Sequence, residues 1–232
     1  MSAKHEKRAY GAENTVDAHA SAAFERARGG TTFTEKPAIL LHSCCGPCST
    51  AVVERLAPRY RITLFFYNPN ISDGEEYERR RAAQLDFVKK YNASADSLDG
   101  LSYIEGAYEP ARFEAATRDL ADAPEGGARC RVCFRLRLEK AAETALLRGF
   151  DSFATTLTVS PHKDYETIAR IGGEIGLRYR IGYLAEDFKK RDGYRRSVEL
   201  SRRYGLYRQT GCGCRFSGAA VPRAASVDHA VP

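Results

Sequence analysis

No apolar run in the chain approaches the roughly 20 residues that a membrane-spanning helix requires. The opening stretch MSAKHEKRAYGAENTVDAHASAAFERARGG also lacks the apolar centre of a signal peptide. The expectation is a cytoplasmic protein with no membrane partner. Internal repeats and low-complexity tracts are missing too, and neither sign of charge is extreme, with 36 Lys and Arg against 30 Asp and Glu. A chain of 232 residues with 43% hydrophobic content is then expected to build one ordinary globular domain.

Cysteine is not scarce, but an even count is absent. Seven cysteines cannot all pair, and a reducing compartment disfavours a structural disulfide framework. They fall into three tight clusters, Cys44/Cys45/Cys48, Cys130/Cys133 and Cys212/Cys214. Clusters so far apart in sequence suggest a site assembled by folding, with metal or redox chemistry as its reason.

Residues 1–35 are rich in Ala, Glu, Arg and Gly and carry no sustained apolar stripe, so they read as a mobile extension, and 218–232 as a disordered tail. Between them, 36–217 alternates strand and helix patterns. Strands are predicted over 38–42, 61–67, more weakly 101–104, then 150–157 and 178–184. Helices are predicted after each of the first two strands, over 109–120, over 130–147 with Val132, Leu136, Ala141 and Ala145 facing inward, and from about Glu166 to Gly176. This alternation implies an α/β fold, a mainly parallel sheet with helices on both faces, Rossmann-like and HUP-like. In such sheets the site forms beyond the C-terminal strand ends, where Cys44, Tyr67 to Asn70, Thr158 to His162 and Asp187 would converge.

Cys44 and Cys45 are neighbours and cannot comfortably bridge to each other, so their sulfurs need another partner. The Cys130/Cys133 pair opens a predicted helix, where both side chains face one way and the helix N-terminus favours thiolates. Alone it reads as a zinc half-site first, or as a redox dithiol or a coincidence. Together the two pairs make a four-thiolate centre, and adjacent ligands suit an iron-sulfur cluster better than tetrahedral zinc. Cys212 and Cys214, one glycine apart, suit a strained and readily reduced disulfide, or metal binding. Cys48 reads as a spare ligand or a small buried thiol.

From Asp187 to Arg208 eight Lys and Arg stand against three acids, a local field that favours a polyanion or simply makes a solvated helix face. Lys189, Lys190, Arg191, Arg195 and Arg196 are the candidate phosphate contacts, with Tyr194 and Tyr207 as stacking surfaces. Tyr67, Asn68 and Asn70 suit an extruded base, or only a turn. His42, His162 and Asp187 are candidate proton donors or iron ligands, Asp187 foremost; a histidine hydrogen-bonded in the interior and an Asp187 paired with Lys189 or Lys190 are the alternatives.

The stretches LHSCCGPCST, FFYNPNI, GGARCRVCFRLRLEKAAE, GFDSFATTLTVSPHKD and LAEDFKKRDGYRRSVELSRRYGLYRQTGCGCRFS resemble, in order, the epoxyqueuosine reductases of the QueH type. The resemblance runs from about Leu40 to Ser217. Gly211 departs from it, standing where an aromatic residue is expected before CGC.

The resemblance implies an iron-sulfur oxidoreductase that reduces the epoxide of epoxyqueuosine at the tRNA wobble position to queuosine. It also implies a 4Fe-4S cluster on Cys44, Cys45, Cys130 and Cys133, a redox-active Cys212–Cys214 pair and a second adjacent iron ion. Removing the epoxide oxygen needs two electrons and two protons, so an external electron donor is expected beside the tRNA. The competing functions are a zinc-stabilised, non-catalytic RNA-binding module and a thiol-disulfide oxidoreductase using Cys130 and Cys133. Metal analysis separates the first and thiol reactivity the second.

Overall fold

The computed structural model describes residues 35–94 and 99–217. The expected extension and tail lie outside the described residues, Glu35 excepted. Five strands form one sheet: β1 (Ala38–Ser43), β2 (Arg61–Phe66), β3 (Ser102–Glu105), β4 (Ser152–Thr155) and β5 (Gly182–Tyr183). Six α-helices lie among the described residues: α1 (Gly46–Leu56), α2 (Gly74–Asn92), α3 (Pro110–Thr117), α4 (Ala128–Leu147), α5 (Tyr165–Tyr179) and α6 (Gly193–Arg203). None is long and apolar enough to cross a membrane.

The strand order is β3-β2-β1-β4-β5, and every pairing is parallel. β1 is central because AILLHS is apolar on both faces, as a strand covered twice must be. Its side chains alternate. Ile39 and Leu41 pack with Val52, Val53 and Leu56 of α1 and Phe87 of α2. Leu40 packs on the other face with Leu138, Ala141 and Ala145 of α4 and Ile168, Ile171 and Ile175 of α5. Each fully buried Leu or Ile stabilises this arrangement by about 1.5–3 kcal/mol relative to exposure.

Helix starts follow local chemistry. Asp73 accepts from Glu75 N and caps α2, whose acids Glu75 and Glu76 come first and whose cations Lys89 and Lys90 come last. Asp164 caps α5 through Thr167 N. Gly46 opens α1 where a Cβ would meet Ala83 O at 2.5 Å, so only glycine lets α1 lie this close to α2. α6 packs against α1.

Three expectations are corrected. β4 is shorter than 150–157, because the chain turns into a 3-10 helix at Thr156–Val159, with Thr155 Oγ1 accepting from Leu157 N. The last strand shrinks from 178–184 to Gly182–Tyr183, because α5 continues to Tyr179 and ends on Arg180 in a left-handed conformation (φ 54°). The inner face of α4 is Phe134, Leu138, Ala141, Ala142 and Ala145, while Val132 and Leu136 are half-buried.

Candidate active site

Sheet order reverses between β1 and β4, and the residues that follow these strands meet there. Cys44 follows β1 and Thr156 follows β4. The Cys44 backbone N–H donates to Thr156 Oγ1 at 3.3 Å, and its sulfur lies 3.6 Å from the same oxygen.

Cys45 is the N-cap of α1, in extended conformation, and its sulfur accepts from the backbone N–H of Cys48 at 3.4 Å. Cap and third helical residue share one turn, which draws Cys48 in as well. The sulfurs of Cys44, Cys45 and Cys48 all lie within 4.8 Å of one another. Hydrogen bonds from Cys45 and Cys48 hold the Cys44 thiol well below its usual range, whereas burial pushes Cys45 up to about 12. Cys48 is raised by its bonds to the other two. The triad thus carries one favoured thiolate, near a helix N-terminus that supports it.

The CxxC pair lies on the first turns of α4. Cys130 Sγ accepts from Gly126 N at 3.2 Å, and burial raises the Cys133 thiol. Arg137, one turn further, is 3% exposed. It donates to Asn68 Oδ1 at 2.6 Å and reaches Cys133 Sγ at 3.9 Å. No carboxylate pairs with it among the described residues. Phe216 lies over Arg129, which links the start of α4 to the end of the CxC loop.

A cleft of about 470 Å³ opens over these groups. Cys44, Cys48, Arg137, Thr156 and Cys212 line it, together with the cations Arg80, Lys163 and Arg208, the aromatic Tyr194, and His162. Among the described residues Glu125 is the one acid of its lining. Cys212 and Cys214 are free thiols with sulfurs 3.3 Å apart. The bond from Cys214 lowers the Cys212 thiol to about 4 and raises Cys214. Gly213 between them takes φ 89°, which favours glycine. Arg80 donates to the carbonyls of Gly211 (3.1 Å) and Cys212 (3.2 Å), and Asn70 also donates to Cys212 O (3.0 Å).

Several expected site groups turn inward. His42 is buried between Thr155 Oγ1 (2.9 Å) and Tyr67 O (3.0 Å), and burial, followed by Arg137, lowers it to about 3. It is the histidine hydrogen-bonded in the interior, the alternative to a site role. Tyr67 is buried with its hydroxyl on Glu109, and Asn68 and Asn70 spend their amides on Ser43 O and Cys212 O. These three brace the site from behind and offer no face to a base.

Asp187 does not line the cleft. It stands behind its wall, 3.6 Å from Lys189 Nζ, which in turn donates to Lys163 O at 3.1 Å. Of the candidate phosphate contacts, Arg195 pairs with Asp192 (2.9 Å) and Arg196 with Glu54 (2.7 Å). Lys190 and Arg191 are exposed and have no side-chain partner among the described residues.

Arg137, Gln209 and Lys163 do not stand out in the sequence as site residues. Arg137 has a signal, its place four residues after Cys133 on one helix face; Gln209 and Lys163, on loops, have none.

A family model described as "Epoxyqueuosine reductase QueH" matches residues 39–220. The chain is 44% identical over 182 residues to epoxyqueuosine reductase QueH of Streptococcus pyogenes serotype M1, covering 78% of this chain and 71% of that one. It is 43% identical over 185 residues to the enzyme of that name from Staphylococcus epidermidis, covering 79% and 77%. With the one from Thermotoga maritima it shares 38% over 180 residues, covering 77% and 89%.

Proposed function

The chain belongs to the epoxyqueuosine reductase QueH family, and from that premise we propose that the thiol-lined cleft is where its reaction occurs. As a member of the family it reduces epoxyqueuosine to queuosine in tRNA. The observation that carries the assignment to this cleft is the meeting of Cys44, Cys48 and Cys212 on one lining at the reversal of strand order.

The sulfurs of Cys44, Cys45 and Cys48, within 4.8 Å of one another beside a helix N-terminus, fit the thiolate side of a metal centre, and the Cys130/Cys133 pair is assigned to it from the cysteine pattern. We read it as a 4Fe-4S cluster held by Cys44, Cys45, Cys130 and Cys133, with Cys48 beside it and a second iron ion adjacent. Such a centre supplies electrons and a Lewis acid for the epoxide oxygen. Arg137 provides the counter-charge of the thiolates, and Gln209 fixes Cys45. Arg80, Lys163 and Arg208 attract the anionic substrate, and Tyr194 offers it a stacking face. His162 is placed to deliver a proton. Asp187 acts from behind the wall, holding Lys189 and through it the Lys163 backbone. Cys212 and Cys214 store two electrons as the dithiol, give them up on forming the disulfide, and are refilled by an external donor. A cytoplasmic setting follows from the tRNA substrate. Lys189, Lys190, Arg191, Arg195 and Arg196 extend the same field for the tRNA backbone.

The test is iron and sulfide analysis of anaerobically purified protein, then an assay on tRNA that carries epoxyqueuosine. Cys44→Ala, Cys45→Ala, Cys130→Ala and Cys133→Ala should each deplete iron and abolish reduction. Stoichiometric zinc in place of iron, or full turnover by Cys130→Ala, would sink the cluster assignment.

A further inference from the structure

The loop that carries Cys212 and Cys214 is a partition with a space on either side. On one side is the cleft with Cys44 and Cys48, which Cys212 lines and Cys214 does not. On the other is a second cleft of about 560 Å³, lined by Cys214 and not by Cys212, together with Arg79, Tyr207 and Arg215. Arg80, Thr210, Gly211 and Ser217 line both and form the wall. The wall is held firmly. Besides the two bonds from Arg80, Ser72 N donates to Gly213 O at 3.0 Å, Arg215 N donates to Ser72 Oγ at 2.7 Å, and Cys212 N donates to Ser217 Oγ at 3.2 Å. Two cysteines with sulfurs 3.3 Å apart thus line different spaces, Cys212 the first and Cys214 the second.

We infer that the second cleft is the entry site for a thiol reductant, whose thiolate attacks Cys214 and expels Cys212 toward the first cleft. This rests on the reading of Cys212 and Cys214 as a redox pair. The step balances as thiol-disulfide exchange. The incoming thiolate forms a bond to Cys214 Sγ, the Cys212–Cys214 bond breaks, and Cys212 leaves as a thiolate. A second thiolate of the reductant then attacks its own sulfur in the mixed disulfide and releases Cys214, which takes a proton. Two thiols are oxidised to a disulfide and the pair gains two electrons.

Access favours this direction, since a reductant in the outer space reaches Cys214 without entering the cleft that holds the substrate. The outer lining mixes charges of both signs: Arg79 lies 3.2 Å from Glu76 and 3.9 Å from Asp73, and Arg215 lies 3.8 Å from Glu114, so entry there rests on geometry and not on the field.

The test uses the full-length protein, oxidised anaerobically with diamide until mass spectrometry records the Cys212–Cys214 disulfide. Reduced glutathione is added in one arm, and in a second arm a Cys-x-x-Cys carrier protein whose second cysteine is Ser. Acid quenching and peptide mapping locate the adduct. The adduct is expected on Cys214, with Cys212 recovered as the free thiol, and the faster arm identifies the source of the thiolate. An adduct on Cys212, or spread equally over both sulfurs, overturns the entry route and leaves the redox pair standing. Failure of the disulfide to form in folded protein overturns both.

Discussion

The side-chain amide of Gln209 donates to the sulfur of Cys45 at 2.8 Å, so a residue near the end of the fold closes over the junction of the first strand and first helix. The other end of that amide, Oε1, is buried without a partner among the described residues. The bond to sulfur is therefore what orients the group.

On the proposal that Cys45 holds an iron-sulfur cluster, Gln209→Leu should lower iron retention or turnover by about 10–100-fold, the usual cost of losing an outer hydrogen bond to a metal ligand. Iron analysis after gel filtration and initial rates on epoxyqueuosine-containing tRNA read the two effects separately. Wild-type values for both would mean that the amide merely fills space.

Arg137 is a buried cation whose near neighbours are the Asn68 amide, the His42 ring (Nε2 at 3.3 Å) and the Cys133 thiol, with no carboxylate among the described residues. Arg137→Met leaves Asn68 Oδ1 without its donor, a loss of about 1–3 kcal/mol for an unsatisfied buried acceptor. It also removes the charge that opposes the burial-driven rise of the Cys133 thiol, so the metal-free variant should alkylate more slowly at Cys133 at fixed pH. Urea midpoints and iodoacetamide kinetics measure these outcomes. A rise in midpoint would show that burying a lone guanidinium costs more than its hydrogen bonds return.

Much of the fold is legible in the sequence because β1, β2 and α5 are long enough, and apolar enough, for periodicity to speak. Legibility fails where a polar residue does a buried job. Arg137 sits in the inner face of α4, so a reading by hydropathy rotates that helix toward Val132 and Leu136. β5 is overdrawn because nothing local announces that Arg180 will take a left-handed turn. At the site, the cysteine clusters are visible as composition, but the company of Cys48 comes from capping geometry. The amides of Asn68 and Asn70 look available only because their partners, Ser43 O and Cys212 O, are distant in sequence.

His42 gives a pH signature. Burial, then Arg137, depresses its folded value from 6.5 to about 3, so between these limits the unfolded chain holds a proton that the native protein does not. Stability is then fully present above pH 6.5 and falls by about 1.4 kcal/mol per unit as pH drops toward 3. Between pH 7 and 5 wild type should lose about 2 kcal/mol more than His42→Gln does. Chemical denaturation at several pH values checks this; parallel curves for the two proteins would mean that His42 is not held neutral.

The basic run divides into cations already engaged and cations that are free, and this division predicts which of them meet tRNA. Arg196 lies 2.7 Å from Glu54 and 3.2 Å from Glu199, so an RNA phosphate would have to displace a partner whose carboxyl the same guanidinium holds below its usual range. Lys190 and Arg191 have no such competitor. Lys190→Glu/Arg191→Glu should therefore weaken tRNA binding strongly and reduce the log-log salt slope by about 0.7 for each single-stranded phosphate no longer neutralised. Arg196→Glu should do less, and Glu54→Gln, which removes one of the two carboxylates on Arg196 and leaves Glu199, should strengthen binding modestly and steepen the slope. Filter-binding titrations across a salt series read all three. If the Lys190/Arg191 variant keeps wild-type affinity and slope with its iron in place, this run is a solvated surface, and the tRNA backbone is held by the cations of the cleft alone.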